Sequence, residues 1–181
     1  MVEDFELFDE VQQRGLEPDI ITYSALIAAC AKGGQWEKAF ELFDEVQQRG
    51  LEPNIITYGA MISACRKGGQ WEKAFGLFDD MQQRGLKADA FTYNALISAC
   101  GKGGQLDKAF ELFAGLPQRG IEPGVIAYNT MISACEKGGR LEKAFELFAE
   151  LQERGLAPDI ITYSALISAC EKNGRWRKAF D

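Results

Sequence analysis

The sequence contains no histidine. That absence removes Ser-His-Asp and Cys-His catalysis and most zinc sites, because each needs an imidazole. No catalytic, metal or cofactor site is therefore expected. No apolar run is long enough to span a bilayer, so no membrane partner is expected. No secretory signal or Arg-rich transit segment precedes the first patterned segment. Positive charge is in the minority: 20 Lys and Arg stand against 27 Asp and Glu, for a formal net charge of −7. Taken as a total, that balance argues against nucleic acid.

Cysteine is scarce, odd in number and regular. Cys30, Cys65, Cys100, Cys135 and Cys170 are each 35 residues apart. Equivalent places on successive units do not meet the geometry a disulfide demands. They read as small buried framework residues, and persistent free thiols point weakly to a reducing compartment. The surrounding segments repeat with the same period. I-I-T-Y-S-A-L-I-A-A-C-A-K-G-G at Ile20 to Gly34 returns as I-I-T-Y-G-A-M-I-S-A-C-R-K-G-G at Ile55 to Gly69. A period in this range marks a solenoid whose units bury their apolar faces against one another.

Within the unit from Ile20 to Asn54, Tyr23, Leu26, Ile27 and Cys30 follow the i, i+3, i+4, i+7 spacing of one helix face. Gly33 and Gly34 stop that helix. Trp36, Ala39, Phe40, Phe43 and Val46 define a second helix, closed by Gly50, Leu51 and Pro53. Ala39, Ala74, Ala109, Ala144 and Ala179 recur in register and are small enough for close helix approach. The prediction is all-α: a right-handed α-solenoid of helix-turn-helix repeats. One array covers 1–181, with full repeats at 20–54, 55–89, 90–124 and 125–159. Residues 1–19 supply only a second helix, and 160–181 form a partial repeat.

Neither end carries a polar capping helix, which solenoids need for solubility. The expectation is a segment of a longer array, or end-to-end self-association. Phe5, Leu7 and Phe8 at one end, and Ile167, Trp176 and Phe180 at the other, would be partly uncovered. The third unit departs most: Ala114, Gly115 and Pro117 should end or kink its second helix early. Gly76 should weaken the second helix of the second unit by roughly 1 kcal/mol relative to alanine.

The charge is unevenly placed. First-helix segments carry Lys32, Lys67, Lys102, Lys137, Lys172 and Arg66, against only Glu136 and Glu171. Second helices hold the acids, as in Glu37, Glu41, Asp44 and Glu45. One face of the array should be mildly basic and the opposite face acidic, the distribution of a polyanion groove with a solvated back. Lysine near a helix C-terminus also suits the helix dipole without any ligand. Two positions vary on this fixed frame. One follows the tyrosine: Ser24, Gly59, Asn94, Asn129 and Ser164. The other ends the unit: Asp19, Asn54, Asp89, Gly124 and Asp159. Small polar side chains of these types read base edges. The first set should lie on the polar face of the first helix. The second sits in a turn, where Asp, Asn and Gly are also favoured for local reasons.

The 35-residue unit, with T-Y-N/S-x-L-I-x-x-C-x-K-x-G, then E-K-A-x-E-L-F and a closing R-G-L-x-P-D/N, resembles the pentatricopeptide repeat along essentially the whole chain. The W…L-G…Y signature of the 34-residue tetratricopeptide repeat is absent. The resemblance implies single-stranded RNA on the concave face, its 5′ end toward the protein N-terminus, with one base read per repeat. The residue after the tyrosine and the last residue of the unit would read that base together. Ser24 with Asn54 implies A, Gly59 with Asp89 implies G, and Asn94 with Gly124 implies a pyrimidine. Asn129 with Asp159 implies U, and Ser164 implies a purine. The implied sequence is 5′-A-G-Y-U-R-3′. Ile21, Ile56, Phe91, Ile126 and Ile161 would sandwich the bases, and Lys32, Lys67, Lys102, Lys137 and Lys172 would meet the phosphates. The implied function is non-catalytic, in RNA processing, stability, editing or translation. Some relatives carry a nuclease or deaminase domain, for which this chain has neither the length nor the residues. The alternative is an α-solenoid scaffold that binds a peptide or protein. The family acts mostly in mitochondria or chloroplasts, and without a transit segment a cytoplasmic location stays open.

Overall fold

In the computed structural model, residues 6–175 and 177 are described, and among them there is helix but no strand. First helices are α2 (Ile20–Gly33), α4 (Ile55–Gly68), α6 (Ala90–Lys102), α8 (Val125–Lys137) and α10 (Ile160–Lys172). Second helices are α1 (Glu6–Gln13), α3 (Trp36–Gln48), α5 (Trp71–Gln83), α7 (Leu106–Ala114) and α9 (Leu141–Glu153). Among the described residues, no helix is long and apolar enough to cross a membrane.

Turn chemistry fixes each hairpin. The second glycine of the G-G pair lies at positive φ, 76° at Gly34 and 66° at Gly69, a region that only glycine enters without strain. The first glycine makes room instead. A Cβ on Gly68 would lie 2.7 Å from Cδ1 of Trp36, the residue that opens the preceding unit's second helix. Second helices end in paired backbone hydrogen bonds: Gly50 donates to the Gln47 carbonyl and Leu51 to the Val46 carbonyl, each at 3.0 Å. That is a Schellman stop. The third unit keeps this pair of bonds, Gly120 to the Pro117 carbonyl and Ile121 to the Leu116 carbonyl, but, as the sequence predicts, its α-helix stops early. Helix α7 ends at Ala114, and Pro117 opens a short 3-10 turn to Arg119. By contrast, α5 runs unbroken through Gly76.

Units are joined by one recurring contact. The tyrosine of each first helix packs edge-on against a phenylalanine of the preceding second helix, as in Phe43–Tyr58 and Phe113–Tyr128, with ring centroids 5.7 and 5.1 Å apart. Such pairs contribute about 0.5–1.5 kcal/mol beyond their buried area. Phe8 takes the same place against Tyr23 and is buried, so it is not part of an uncovered end. Leu7 and Ile167 are exposed, while Phe5, Trp176, Ala179 and Phe180 lie outside the described residues. All five cysteines are buried and none forms a disulfide among the described residues, and burial pushes the Cys65 thiol up to about 12 and those of Cys100 and Cys135 to about 11. They are inert framework.

Successive first helices stack directly on one another, α2 on α4, α4 on α6, α6 on α8 and α8 on α10. Second helices pack on the first helices on either side and not comparably on each other. First helices thus form one continuous layer, with the second helices on its other side. One close approach between first helices is made at Gly101, where a Cβ would fall 2.6 Å from Cβ of Ala134 on α8. Gly101→Ala should cost about 1–3 kcal/mol through overpacking, read as a lowered denaturation midpoint with an unchanged m-value.

Candidate nucleic-acid interface

The turn residues are N-caps first. Asp19 Oδ1 accepts from the Thr22 backbone N–H at 2.9 Å, Asp89 Oδ1 from that of Thr92 at 2.8 Å, and Asp159 Oδ1 from that of Thr162 at 2.9 Å. Asn54 Oδ1 accepts from Ile56 and Thr57 at 2.9 and 3.1 Å. The Thr162 N–H leads the effects that hold the Asp159 carboxyl below the usual carboxylate range, against some desolvation. Each cap uses one atom of the side chain. The other end, Nδ2 in Asn54 and Oδ2 in Asp89 and Asp159, takes no part in these cap bonds.

The residues after the tyrosine do not lie on an open polar face as helical periodicity suggests. Ser24, Gly59 and Asn129 are buried, Asn94 is partly buried and Ser164 is exposed. The cause is the stacking of first helices, which covers each helix on two sides. The stacking brings Ser24, Gly59 and Asn129 to the turn that follows their own unit. Asn129 Nδ2 donates to Asp159 Oδ1 at 2.9 Å. Ser24 Oγ and Thr57 Oγ1 are 2.7 Å apart, and Thr57 Oγ1 in turn donates to Asn54 Oδ1 at 3.2 Å. Sequence reasoning missed these threonines. Their signal was there: threonine precedes the tyrosine in every first helix except α8, where Ala127 stands.

The apolar second-position residues point outward. Ile21, Ile56, Phe91, Ile126 and Ile161 are all exposed, Phe91 by 58%. Apolar character alone would send such residues to the core, but they lie opposite the helix face marked by Tyr23, Leu26, Ile27 and Cys30. Between them lie three clefts. The first, about 530 Å³, has Ile56 and Phe91 at its sides with Gly59 and Asp89 between. The second, about 330 Å³, runs between Phe91 and Ile126 past Asn94. The third, about 240 Å³, runs between Ile126 and Ile161 past Asn129 and Asp159.

Cations rim these clefts unequally. Lys32, Arg66 and Lys67 line the largest, and Lys137 lines the smallest. Desolvation, and then the charges of Lys137, Arg66 and Lys67, hold the Lys102 ammonium below the usual lysine range. A cluster of like charge is thus centred on α4, α6 and α8. Lys172 stands apart, paired with Glu136, which also accepts from Ser168 Oγ at 3.0 Å. Lys67 donates to the Lys32 carbonyl at the end of α2. Among the described residues, no group of His, Cys, Asp and Glu could hold a metal ion.

No curated protein matches the chain. A family model described as the pentatricopeptide repeat domain matches residues 6–67 and 76–138, and further repeat models match 123–172 and 56–86. Among solved structures, the pentatricopeptide repeat protein PPR10 in complex with an 18-nt psaJ RNA element is similar over 96% of this chain, at 25% identity and a TM-score of 0.86. The chain spans 26% of that protein's length. PPR10 from maize, solved alone, gives a TM-score of 0.74 at the same identity, over 96% of this chain and 25% of its own. The PPR domain of Arabidopsis thaliana protein-only RNase P 1, in complex with tRNA, shares the fold. Its TM-score is 0.67 at 18% identity, over 86% of this chain and 84% of its own. With family models matching most of its length, the chain belongs to the pentatricopeptide repeat family.

Proposed function

We propose that the chain binds single-stranded RNA sequence-specifically and without catalysis, one base per repeat, with the preference 5′-A-G-Y-U-R-3′. The observation that carries this reading is the row of three clefts. Each is walled by exposed apolar residues and has at least one cation in its lining; the first and third hold both members of a reader pair, and the second holds Asn94. Apolar walls that no core explains suit the faces of unstacked bases, which every base possesses.

The caps supply a chemical basis for the choice of base. Uracil and guanine carry an N–H at the centre of the Watson–Crick edge, whereas adenine and cytosine carry a bare nitrogen. With one oxygen used by the cap, Asp89 and Asp159 offer a second acceptor, suited to G or U. Asn54 offers an Nδ2 donor, suited to A or C. Size decides the rest. Gly59 opens the largest cleft and suits a purine, while Asn129 narrows its cleft to about 240 Å³ and suits a pyrimidine. Ser24 is small and assigns A beside Asn54; Ser164 assigns a purine.

Titration with A-G-U-U-A oligonucleotide tests the function. Affinity should fall steeply with salt, at a slope of about −0.7 per phosphate contact on a single strand. Absence of binding at low salt would leave the peptide-binding scaffold as the better reading. The proposal extends to head-to-tail association, for which exposed Tyr163 and Ile167 on α10 and Leu7 on α1 are the supporting surfaces. Sedimentation should show concentration-dependent oligomers; a monomer throughout would remove that part alone.

A further inference from the structure

The junction between α6 and α8 lacks a device that the other junctions have. Thr57, Thr92 and Thr162 each place Oγ1 on the cap oxygen of the turn residue, at 3.2, 2.8 and 3.0 Å. Thr22 does the same to Asp19 at 2.9 Å. Where the preceding helix supplies a polar reader, the hydroxyl also reaches it: Ser24 Oγ at 2.7 Å and Asn129 Oδ1 at 2.5 Å. The threonine thus ties helix reader and turn reader into one unit. Between α6 and α8 both partners are missing. Ala127 stands in place of threonine, and Gly124 makes no side-chain cap. The consequence falls on Asn94, whose Oδ1 is buried without a hydrogen-bond partner. Buried polar atoms are rarely left so.

We infer that the threonine before the tyrosine is a positioning residue for base recognition, and that the Asn94 junction, lacking it, accepts cytosine and uracil alike. The inference rests on the RNA-binding reading above and deepens it. At tied junctions the amide or carboxylate is held so that one kind of atom faces the base. Asn129 shows the effect, since its Nδ2 is bound to Asp159 and its Oδ1 to Thr162. Asn94 has no such restraint. Its carboxamide can turn about the last side-chain bond, presenting Oδ1 to an N–H or Nδ2 to a bare nitrogen. Cytosine and uracil differ in that feature: uracil's N–H would donate to Oδ1, and cytosine's bare nitrogen would accept from Nδ2. A purine is disfavoured by bulk, because asparagine occupies the space that glycine leaves open at position 59.

The test uses the full chain and two sets of four oligonucleotides, A-G-N-U-A and A-G-U-N-A, with each base in turn at the third or the fourth place. The wild type should bind the C and U forms within about twofold of each other, a smaller gap than one net hydrogen bond of ordinary strength produces. Gly124→Asp alone supplies the turn acceptor without its tie. Gly124→Asp with Ala127→Thr supplies both, and should exceed the single variant in U-over-C preference by about fivefold. In the opposite direction, Thr162→Ala should lower the preference for U at the fourth base by about fivefold, and Thr162→Ser should keep it. Thermal melts confirm that each variant is folded. Equal U-to-C ratios in the single and double variants, or an unchanged fourth-base preference in Thr162→Ala, would overturn the inference while leaving RNA binding intact. If no RNA binds to the wild type, the underlying reading falls first.

Discussion

Replacing Phe91 with alanine should weaken RNA binding more than any other single truncation in the second-position row. Phe91 is the aromatic member of that row and the shared wall of two adjacent clefts, so it faces two successive bases. Base–aromatic stacking contributes about 1–3 kcal/mol per base, which corresponds to roughly 5- to 100-fold in affinity. Ile56→Ala and Ile126→Ala remove aliphatic walls without a ring and should cost less. Because Phe91 is 58% exposed, its loss should barely move the melting temperature. Fluorescence anisotropy at fixed salt reads the affinity, and a wild-type value for Phe91→Ala would contradict a stacked base at either cleft.

Reversing two charges of the central cluster should have an effect of similar or greater size. Arg66, Lys67, Lys102 and Lys137 lie close enough that three of them help to lower the pKa of the fourth. A polyanion relieves that repulsion, and the sign of the effect is testable. Lys102→Glu with Lys137→Glu should reduce affinity by about 100-fold at low salt and flatten the log–log salt dependence by about two phosphate contacts. Lys172→Glu makes the control. Lys172 already pairs with Glu136, so less of its charge is left for a phosphate. Equal losses in the two experiments would mean that the cluster has no special role.

The period, the helical hairpins and the early end of the third unit's second helix were legible because they are local. Gly34 and Gly50 stop helices within a few residues of themselves, and Pro117 does so through its own ring. The cysteines were legible for the same reason, since one helix face predicts their burial. What escaped the sequence lies across units. Asn129 meets Asp159 at a separation of 30 residues, Ser24 meets Thr57 at 33, and Lys172 meets Glu136 at 36. No periodicity within one helix reveals such pairs. That is why the reader positions were placed on an open polar face when stacking in fact covers Ser24, Gly59 and Asn129. The threonine tie was hidden by its regularity: Ala127 shows its meaning only beside the unpaired Asn94 oxygen. The row of outward-facing apolar residues came from family resemblance, because hydrophobicity alone gives no reason for such residues to face outward.

The central claim is that each repeat reads one base, and an unbiased RNA selection tests it most directly. Random single-stranded RNA is selected in parallel on the wild type and on Asn94→Ser. The wild type should enrich A-G-Y-U-R. The variant should enrich the same sequence with the third base moved from pyrimidine to purine, the other four positions unchanged. No enriched sequence, or the same third base in both pools, would contradict the account.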